Sequence, residues 1–475
     1  MAITVGEIAV KTLIANNIDQ LYCLPGVQND DFFDVLYDNT KNIKPIHTRH
    51  EQGAAYMALG AAMAAGKPQV FSIVPGPGFL NSTAALSTAY AVNAPVFALI
   101  GQIPLGAIGK GYGLLHEIPD QLSVMKSLTK QANRIENAKS ASKILTDAFS
   151  SVQSGRPRPV GVEIPVNIWN SKVDKIPQDL VGYPESSPIL NTDQIEEAAA
   201  LLNKSHKPII IVGGGAQNFS VEVNQLSKSL SAPVIAFRNG HGIMDGSSQL
   251  SVTLPAGREL WGECDVVLAI GTRCQTAQMQ WGIDDHMKII HIDIDDEEIG
   301  RINTPEIGIN ADLKDALPSL LDNMSGKEKH RNDWVKKVNE VKLKYNKLFA
   351  EKLAPQLAWL AAIRAELPKN GIFVDELTQV GYVSRLAFES YRPRTFLSTG
   401  YQGTLGWGLA SALGAAHARR DVPVVSISGD GGALYTISEL ATAARHNIPI
   451  TSIIFNDNAF GNVRRFQIEK YNNRP

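Results

Sequence analysis

The segment that decides the fold reads VVSISGDGG at residues 424–432 and is followed by ITSIIFNDNAFG at residues 450–461. Each part contains a short apolar, β-branched run, which predicts a buried parallel strand. Residues 434–446, between them, carry apolar side chains at helical spacing and predict a helix. Together they predict one βαβ unit, whose right-handed crossover places the C-terminal ends of both strands side by side.

An aspartate follows each predicted strand: Asp430 comes directly after the first, and Asp457 lies two residues beyond the second. We expect both carboxylates at one edge of the sheet. Beside backbone N–H groups they suit a divalent cation that bridges to a diphosphate. A capped turn, which is common in doubly wound sheets, is the alternative interpretation. We also expect Gly429, Gly431 and Gly432 to let the chain turn sharply after the first strand.

Length and composition predict a globular protein of several domains. The chain has 475 residues, of which 44% are apolar and 19% charged, so we expect about three domains. The formal net charge is −2, so the composition does not show the excess of basic residues that is typical of proteins that bind nucleic acid or acidic membranes. Three cysteines without metal-ligand spacing fit unpaired thiols in a reducing compartment. With no signal-peptide pattern and no apolar run long enough to span a bilayer, we expect a cytoplasmic protein.

Short apolar strands alternate with helical stretches along the chain, which predicts an α/β fold of three doubly wound parallel-sheet domains. We expect these domains at residues 1–170, 190–324 and 350–475, joined by a linker at residues 171–190 and a charged hinge at residues 325–331. Too few residues follow the last predicted strand to complete a sheet of about five or six strands. We therefore expect the last domain to be incomplete at its C-terminus.

A further acidic residue, Glu51, opens a helix rich in alanine and glycine and follows a short strand-like stretch at residues 46–48. A carboxylate held there is partly desolvated and keeps its proton more readily, which suits sharing that proton with a ring nitrogen. The alternative is that the glutamate only stabilises the first turn through the helix dipole.

These stretches resemble a known family. The region around Glu51, with PGPG at residues 75–78 and Asn81, resembles the pyrimidine-binding domain of thiamine diphosphate enzymes. The segment from Asp430 onward resembles their metal signature. Together with GTLGWG at residues 403–408, the pattern is similar to the acetohydroxyacid synthase, benzoylformate decarboxylase and pyruvate oxidase group over essentially the whole chain.

The resemblance implies a magnesium site and a set of cofactor contacts. Asp430, Asp457 and the backbone carbonyl of Ala459 would hold Mg²⁺, although the family more often has asparagine where this chain has Asp457. Glu51 would hydrogen-bond N1′ of the aminopyrimidine ring and so promote proton removal from the thiazolium. The cofactor-binding residues implied by the resemblance are Asn81, Thr378, Gln379, Gly403, Leu405, Gly429, Gly431, Gly432 and Asn458.

Two of these assignments carry specific roles in the family. The carbonyl of Gly403 would hold the 4′-amino group of the cofactor. Leu405 would be the apolar wedge that bends the cofactor into a V shape, and plain core packing is the alternative for this residue. Because Glu51 and the metal ligands come from different subunits in the family, the resemblance implies a homodimer or homotetramer with the active site at the subunit interface.

Two positions leave the activity open. Synthase relatives usually present Phe-Gln-Glu where this chain has Leu115, His116 and Glu117. His116 would assist proton transfers near the thiazolium, or it is a surface loop residue. The implied activity is cleavage or formation of a C–C bond next to a carbonyl, by decarboxylation of a 2-oxo acid or by carboligation of the acetolactate synthase kind.

The middle block allows a nucleotide site as an alternative. GGGAQN at residues 213–218 follows a strand but lacks the third glycine of the dinucleotide fingerprint. Family synthases and oxidases place FAD in this domain; Arg273 and residues 293–295 match their positions, but the Met-His-Gly segment expected near residues 254–258 is absent. An FAD site and an empty scaffold domain both stay open here. The alternative functions are an NAD(P)-dependent oxidoreductase and a catalytically inactive oligomer that keeps the fold.

Overall fold

The computed structural model describes residues 2–175, 177–324 and 331–474. Two compact units make up the chain. Unit 1 comprises Met1–Glu185, Val374–Thr378 and Thr399–Pro475, and unit 2 comprises Ser186–Phe373 and Gln379–Ser398. The predicted hinge at residues 325–331 lies outside the described residues except for Arg331.

The first block of unit 1 is a six-stranded, fully parallel sheet in the order β3-β2-β4-β5-β7-β6. The strands β4, β5 and β7 are buried along their whole length, as expected for parallel strands with helices on both faces of the sheet. The strands of this block are β1 Ile3–Thr4, β2 Gln20–Leu24, β3 Lys44–His47, β4 Gln69–Ile73, β5 Val96–Gln102, β6 Gln131–Arg134, β7 Val160–Pro165 and β8 Lys172–Val173. Its helices are α1 Val5–Ala15, α2 Asp30–Asp38, α3 Glu51–Ala65, α4 Pro77–Val92, α5 Gln121–Leu128 and α6 Ala138–Gln153.

The predicted linker at residues 171–190 contains one short strand, β8, which pairs antiparallel with β1 so that Ile3 faces Val173. Two-residue strands leave no periodic signal in the sequence, because period-2 alternation needs at least four residues to be read.

Unit 2 contains a six-stranded parallel sheet in the order β11-β10-β9-β12-β13-β14. The order reverses between β9 and β12, the point at which doubly wound sheets usually bind ligands. Its elements are α7 Thr192–Lys204, β9 Pro208–Val212, α8 Ser220–Leu230, β10 Val234–Ala236, β11 Ser251–Val252, α9 Leu254–Trp261, β12 Val266–Ile270, β13 Lys288–Asp293, β14 Ile307–Asn310, α10 Leu313–Asn323, α11 Asn332–Lys352 and α12 Ala354–Glu366. The next elements along the chain are β15 Ile372–Val374, α13 Gln379–Ala387 and β16 Phe396–Leu397.

The C-terminal part of unit 1 carries the βαβ segment that opened the sequence analysis. Its strands β17 and β18 pair in parallel, so that Val425 faces Thr451 and Gly429 faces Phe455. The elements here are α14 Trp407–Ala418, β17 Val424–Gly429, α15 Asp430–Leu434, α16 Leu440–His446, β18 Thr451–Phe455 and α17 Gly461–Tyr471. The predicted α/β class with three parallel-sheet domains is confirmed.

The single helix predicted at residues 434–446 is wrong. The structure instead has two short helices, α15 and α16, separated by a 3-10 turn at Ile437–Glu439. The hydroxyl of Thr436 donates a hydrogen bond to the carbonyl of Gly406, 2.9 Å away. This tertiary contact fixes the chain just after α15, and it overrides the helical spacing of the apolar residues.

Two helices of small residues cross inside unit 1. Both α3 and α14 are almost entirely buried. A Cβ atom added to Gly60 would overlap the carbonyl of Ser411, and one added to Gly414 would overlap the carbonyl of Met57. The two backbones therefore approach so closely that only glycine fits at either position. No described helix is long and apolar enough to cross a membrane.

Candidate active site

The two aspartates of the metal signature follow neighbouring parallel strands. Gly429, the last residue of β17, pairs with Phe455, the last residue of β18. Asp430 is the next residue on one strand, and Asp457 lies two residues beyond Phe455 on the other. Since neighbouring strands lie about 4.8 Å apart, both carboxylates belong to the same edge of this sheet, as the βαβ interpretation expects.

The turn after β18 is fixed by its own side chains. Asn456 Oδ1 accepts the N–H of Asn458 at 3.0 Å, and Asp457 Oδ1 accepts the N–H of Ala459 at 3.2 Å. Asn458 adopts a left-handed conformation with φ +54°, which asparagine tolerates better than most residues. These contacts hold Asp457 and Ala459 in one compact turn.

The chain passes directly from β17, which ends at Gly429, into α15, which begins at Asp430, and it does so without a left-handed glycine. None of Gly429, Gly431 and Gly432 has a positive φ. A Cβ added to Gly431 would lie 2.5 Å from the ring of Phe460, and one added to Gly432 would lie 2.7 Å from Glu376 Oε1. A side chain at position 432 would therefore meet the buried Glu376 carboxylate, whereas one at position 431 would meet the exposed ring of Phe460, which can move aside.

Glu376 is a fully buried carboxylate that the sequence analysis missed. It accepts the N–H of Gly406 and lies against the backbone of Gly408 and Gly432. Its Oε2 atom has no hydrogen-bond partner among the described residues. Burial raises the pKa of Glu376 to about 7. This side chain thus links the segment of residues 403–408 to the metal signature.

The segment of residues 403–408 is a turn that leads into α14. Gly403 and Gly406 have φ values of +59° and +80°, which favour glycine. The hydroxyl of Thr404 lies 3.1 Å from that of Thr88. Leu405 is partly buried, which leaves both of its predicted roles open.

Glu51 begins α3, and the side chain of the preceding His50 caps this helix by accepting the N–H of Gln52. The Glu51 side chain is only 14% exposed, which agrees with the expected partial desolvation. Asn81 Nδ2 donates to Glu51 Oε2 at 3.0 Å. A Cβ added to Gly78 would lie 3.4 Å from Glu51 Oε1 and 2.7 Å from Val74 Cγ2, so the carboxylate packs close to a position where Val74 leaves no space for a side chain.

His116 lies in the loop before α5 and is half-buried. Its φ is +68°, and its Nδ1 lies 3.0 Å from Gln28 Oε1. Gly76 packs against the His116 carbonyl so closely that a Cβ would overlap it. His116 and Glu51 thus contact the two glycines of the turn at residues 75–78.

The remaining predicted residues are dispersed. Thr378 lies beside the end of β17, since an added Cβ on Gly429 would be 3.9 Å from Thr378 Cβ. Gln379 is exposed at the start of α13 and belongs to unit 2. Within the described ranges, no group of three or more His, Cys, Asp or Glu side chains is placed to hold a metal ion. A cation here would therefore need ligands beyond the two carboxylates.

A second buried carboxylate, Glu439, also escaped the sequence analysis. It accepts the backbone N–H groups of Arg49 and His50, which lead into α3. Burial raises the pKa of Glu439 above its ordinary value, and the hydrogen bond from Thr442 opposes this shift. No local pattern marks this contact, because the partners are about 390 residues apart.

The glycine run of the middle block makes backbone contacts within unit 2. The N–H of Gly215 donates to the carbonyl of Gly271 at 3.1 Å. A Cβ added to Gly213 would lie 2.5 Å from that same carbonyl. These glycines thus pack the loops after β9 and β12 against each other at the point where the strand order reverses.

Comparisons with known proteins give a consistent assignment. Models of thiamine pyrophosphate enzyme domains match the chain in order: the N-terminal TPP binding domain at residues 3–124, the central domain at residues 195–320 and the C-terminal TPP binding domain at residues 378–475.

Curated relatives align along almost the whole chain. A probable acetolactate synthase large subunit of Methanocaldococcus jannaschii is 33% identical over 98% of this chain and 82% of its own length. A probable 2-ketoarginine decarboxylase AruI of Pseudomonas aeruginosa is 29% identical over 97% and 83%, and the acetolactate synthase isozyme 1 large subunit of Escherichia coli is 28% identical over 98% and 83%.

Proposed function

Because the chain belongs to the thiamine pyrophosphate enzyme family, in its acetolactate synthase-like group, we propose that it binds thiamine diphosphate with Mg²⁺ and acts on a 2-oxo acid. The reaction is cleavage or formation of the C–C bond next to the carbonyl. The observation that carries the proposal is the pairing of Gly429 with Phe455, which puts Asp430 and Asp457 at one sheet edge.

The residues at this edge fit a magnesium diphosphate. Aspartate carboxylates and a backbone carbonyl are hard oxygen ligands of the kind Mg²⁺ takes, and Mg²⁺ commonly shares phosphate oxygens as further ligands. We assign Asp430, Asp457 and the carbonyl of Ala459 to the metal. We assign the backbone at Gly429, Gly431 and Gly432, together with Asn458, to the diphosphate, and Thr378 as a weaker contact. The absence of a third acidic ligand among the described residues is compatible with a ligand set completed by the diphosphate.

The Glu51 region fits the aminopyrimidine ring. The Glu51 carboxylate is 14% exposed, lies beside Gly78 and accepts a hydrogen bond from one neutral donor, Asn81. We assign Glu51 to share a proton with ring nitrogen N1′, Gly403 to accept from the amino group, and Leu405 to the wedge. His116 is the candidate for moving protons on the substrate side.

The cofactor, when bound, supplies an electron sink for the bond that breaks beside the carbonyl. The chain's own residues orient it, exclude water and hold a proton at the Glu51 carboxylate. Following the family resemblance, we propose that Glu51 serves the metal site of a second copy, so the working form is a homodimer or homotetramer. The three cysteines are buried free thiols, which supports a reducing compartment such as the cytoplasm.

We do not include a flavin or nicotinamide cofactor. The glycines at residues 213–215 contact the Gly271 loop directly, and the N–H of Gly215 is engaged. A dinucleotide would need the backbone of these glycines for its own contacts, so these residues do not fit one. Purified protein without flavin absorbance, and without measurable NAD(P) binding, is the expected result.

The proposal is tested by turnover. We expect the protein to release CO₂ from at least one 2-oxo acid of a panel headed by pyruvate, only when thiamine diphosphate and Mg²⁺ are both present. Product analysis by mass spectrometry separates an aldehyde, which indicates decarboxylation, from a 2-hydroxy-2-methyl-3-oxo acid, which indicates carboligation. Cofactor binding without turnover of any substrate would favour the inactive oligomer.

A further inference from the structure

The backbone that leads into Glu51 is held by a carboxylate from the other end of the chain. The N–H of Arg49 lies 3.1 Å from both carboxylate oxygens of Glu439, and the N–H of His50 lies 3.0 Å from Oε1. The hydroxyl of Thr442 donates to Oε2 at 2.6 Å. Glu439 is fully buried, so these three donors replace the water that a carboxylate otherwise binds.

A second contact extends the same attachment. The N–H of His47, the last residue of β3, donates to Nε2 of His446 at 3.1 Å. His446 ends α16, and Glu439 directly precedes this helix. The stretch from His47 to His50 therefore has three backbone N–H groups bonded to one short segment at residues 439–446. Its conformation depends on that segment.

A glycine in α3 leaves room for the Glu439 side chain. A Cβ added to Gly53 would overlap Oε1, Cδ and Cγ of Glu439. Gly53 lies inside a helix, where glycine is ordinarily less favourable than alanine. The close approach of the carboxylate accounts for the glycine at this position.

We propose that Glu439 is a positioning residue for Glu51. By accepting the N–H groups of Arg49 and His50, it fixes the two residues before Glu51, and with them the place of the Glu51 carboxylate beside Asn81. This role rests on the proposed function, in which Glu51 touches the cofactor. It assigns to the segment between Asp430 and Asp457 a part in presenting the glutamate of the same chain.

The experiment compares Glu439→Ala and Gly53→Ala with wild type. The first removes the acceptor, and the second displaces it while favouring the helix. We expect faster hydrogen exchange at the amides of Arg49 and His50 in both apo variants. We also expect kcat roughly 10- to 100-fold lower, with thiamine diphosphate affinity close to that of wild type. Glu439→Gln, which keeps an oxygen for the N–H groups, should recover most of the activity, and the exposed substitution Glu197→Gln should change nothing.

A double variant separates positioning from general loss of structure. If Glu439 acts through Glu51, adding Glu439→Ala to Glu51→Gln should lower kcat little further. If the double variant loses kcat by the product of the two single losses, the positioning role is overturned. Normal kcat in Gly53→Ala and Glu439→Ala, despite faster hydrogen exchange at Arg49 and His50, would overturn it too. If Glu439→Ala does not fold, the kcat values of Gly53→Ala and Glu439→Gln still test the positioning role. A wild-type protein that binds no thiamine diphosphate would overturn the proposed function itself. An active wild type with equally active Glu439 variants would overturn only the positioning role of Glu439.

Discussion

Asn81 donates a hydrogen bond through Nδ2 to Oε2 of Glu51 over 3.0 Å. The donor comes from the second turn of α4 and the acceptor from the first residue of α3. Oε1 of Glu51 faces Gly78 at the start of α4. Oε2 thus accepts a hydrogen bond from the protein, while Oε1 lies beside the backbone of Gly78. This arrangement suits a carboxylate that shares a proton with a bound ring.

Replacing this carboxylate tests its assigned role. In Glu51→Gln the Asn81 contact is kept but no proton can be shared, so we expect turnover to fall by roughly 10²- to 10⁴-fold, with thiamine diphosphate still bound. Steady-state kinetics and a fluorescence titration of the cofactor measure the two quantities. The exposed Glu197→Gln is the control, and turnover near wild type in Glu51→Gln would rule out the role.

Asp457 gives a graded test of the metal site. In Asp457→Asn the introduced amide oxygen is still a hard ligand, so we expect Mg²⁺ to activate this variant with a weaker apparent affinity. In Asp457→Ala the ligand is gone, and activation should need far more Mg²⁺ or be lost. Titrating activity with Mg²⁺ in wild type and the two variants checks this order. Equal Mg²⁺ dependence in all three proteins would contradict the assignment of Asp457 to the metal.

The crossing of α3 and α14 predicts a strong packing effect. In Gly60→Ala the new Cβ would overlap the Ser411 carbonyl, and backbone cannot move as a flexible side chain does. We expect the free energy of unfolding to fall by about 1–3 kcal/mol or more, measured by urea denaturation. Gly106→Ala is the matched control, because a Cβ there meets nothing within 4 Å. Equal stability of the two variants would show that the helices are not so closely packed.

Glu376 predicts a pH dependence of stability. Burial raises its pKa from 4.5 to about 7, so between these values the folded protein keeps a proton that the unfolded chain has released. Its contribution to the free energy of unfolding therefore decreases as pH rises from 4.5 to 7. Glu376→Gln stays neutral throughout. Relative to wild type, the variant should gain on the order of 3 kcal/mol between pH 4.5 and pH 8, as measured by urea unfolding without cofactor.

Glu117 provides a control in which stability should change with pH in the opposite direction. Hydrogen bonds from its own loop lower the pKa of this carboxyl, and the bond from the N–H of Leu114 makes the largest contribution. Its stabilising contribution is present above the unfolded pKa and is lost as pH falls. Glu117→Gln should therefore lose stability relative to wild type as pH rises. If both variants followed the same trend, the raised pKa of Glu376 would not be the cause.

Local patterns predicted much of this fold. The two strands of the βαβ unit were predicted from short apolar, β-branched runs, and the structure has them at Val424–Gly429 and Thr451–Phe455. The parallel ends of β17 and β18 followed from the right-handed crossover alone. Periodicity and chirality are local or near-local rules, so one sequence suffices to apply them.

Contacts between distant segments were not predictable in this way. Glu439 resembles an ordinary polar residue before a helix, and only the fold brings it to Arg49 and His50. The break between α15 and α16 depends on the bond from Thr436 to Gly406. Such pairs leave no period or spacing in the sequence, because each partner alone fits an unremarkable local structure.

The most direct test of the account is thermal unfolding with and without thiamine diphosphate plus Mg²⁺, in wild type and in Asp430→Ala. At about 100 times Kd the ligands should add roughly 2.7 kcal/mol to the stability of wild type, and a chelator should remove the gain. Asp322→Ala, at an exposed aspartate near the end of α10, should keep it. A wild-type protein that shows no shift, or an Asp430→Ala variant that shows the full shift, would contradict a cofactor held at the edge formed by β17 and β18.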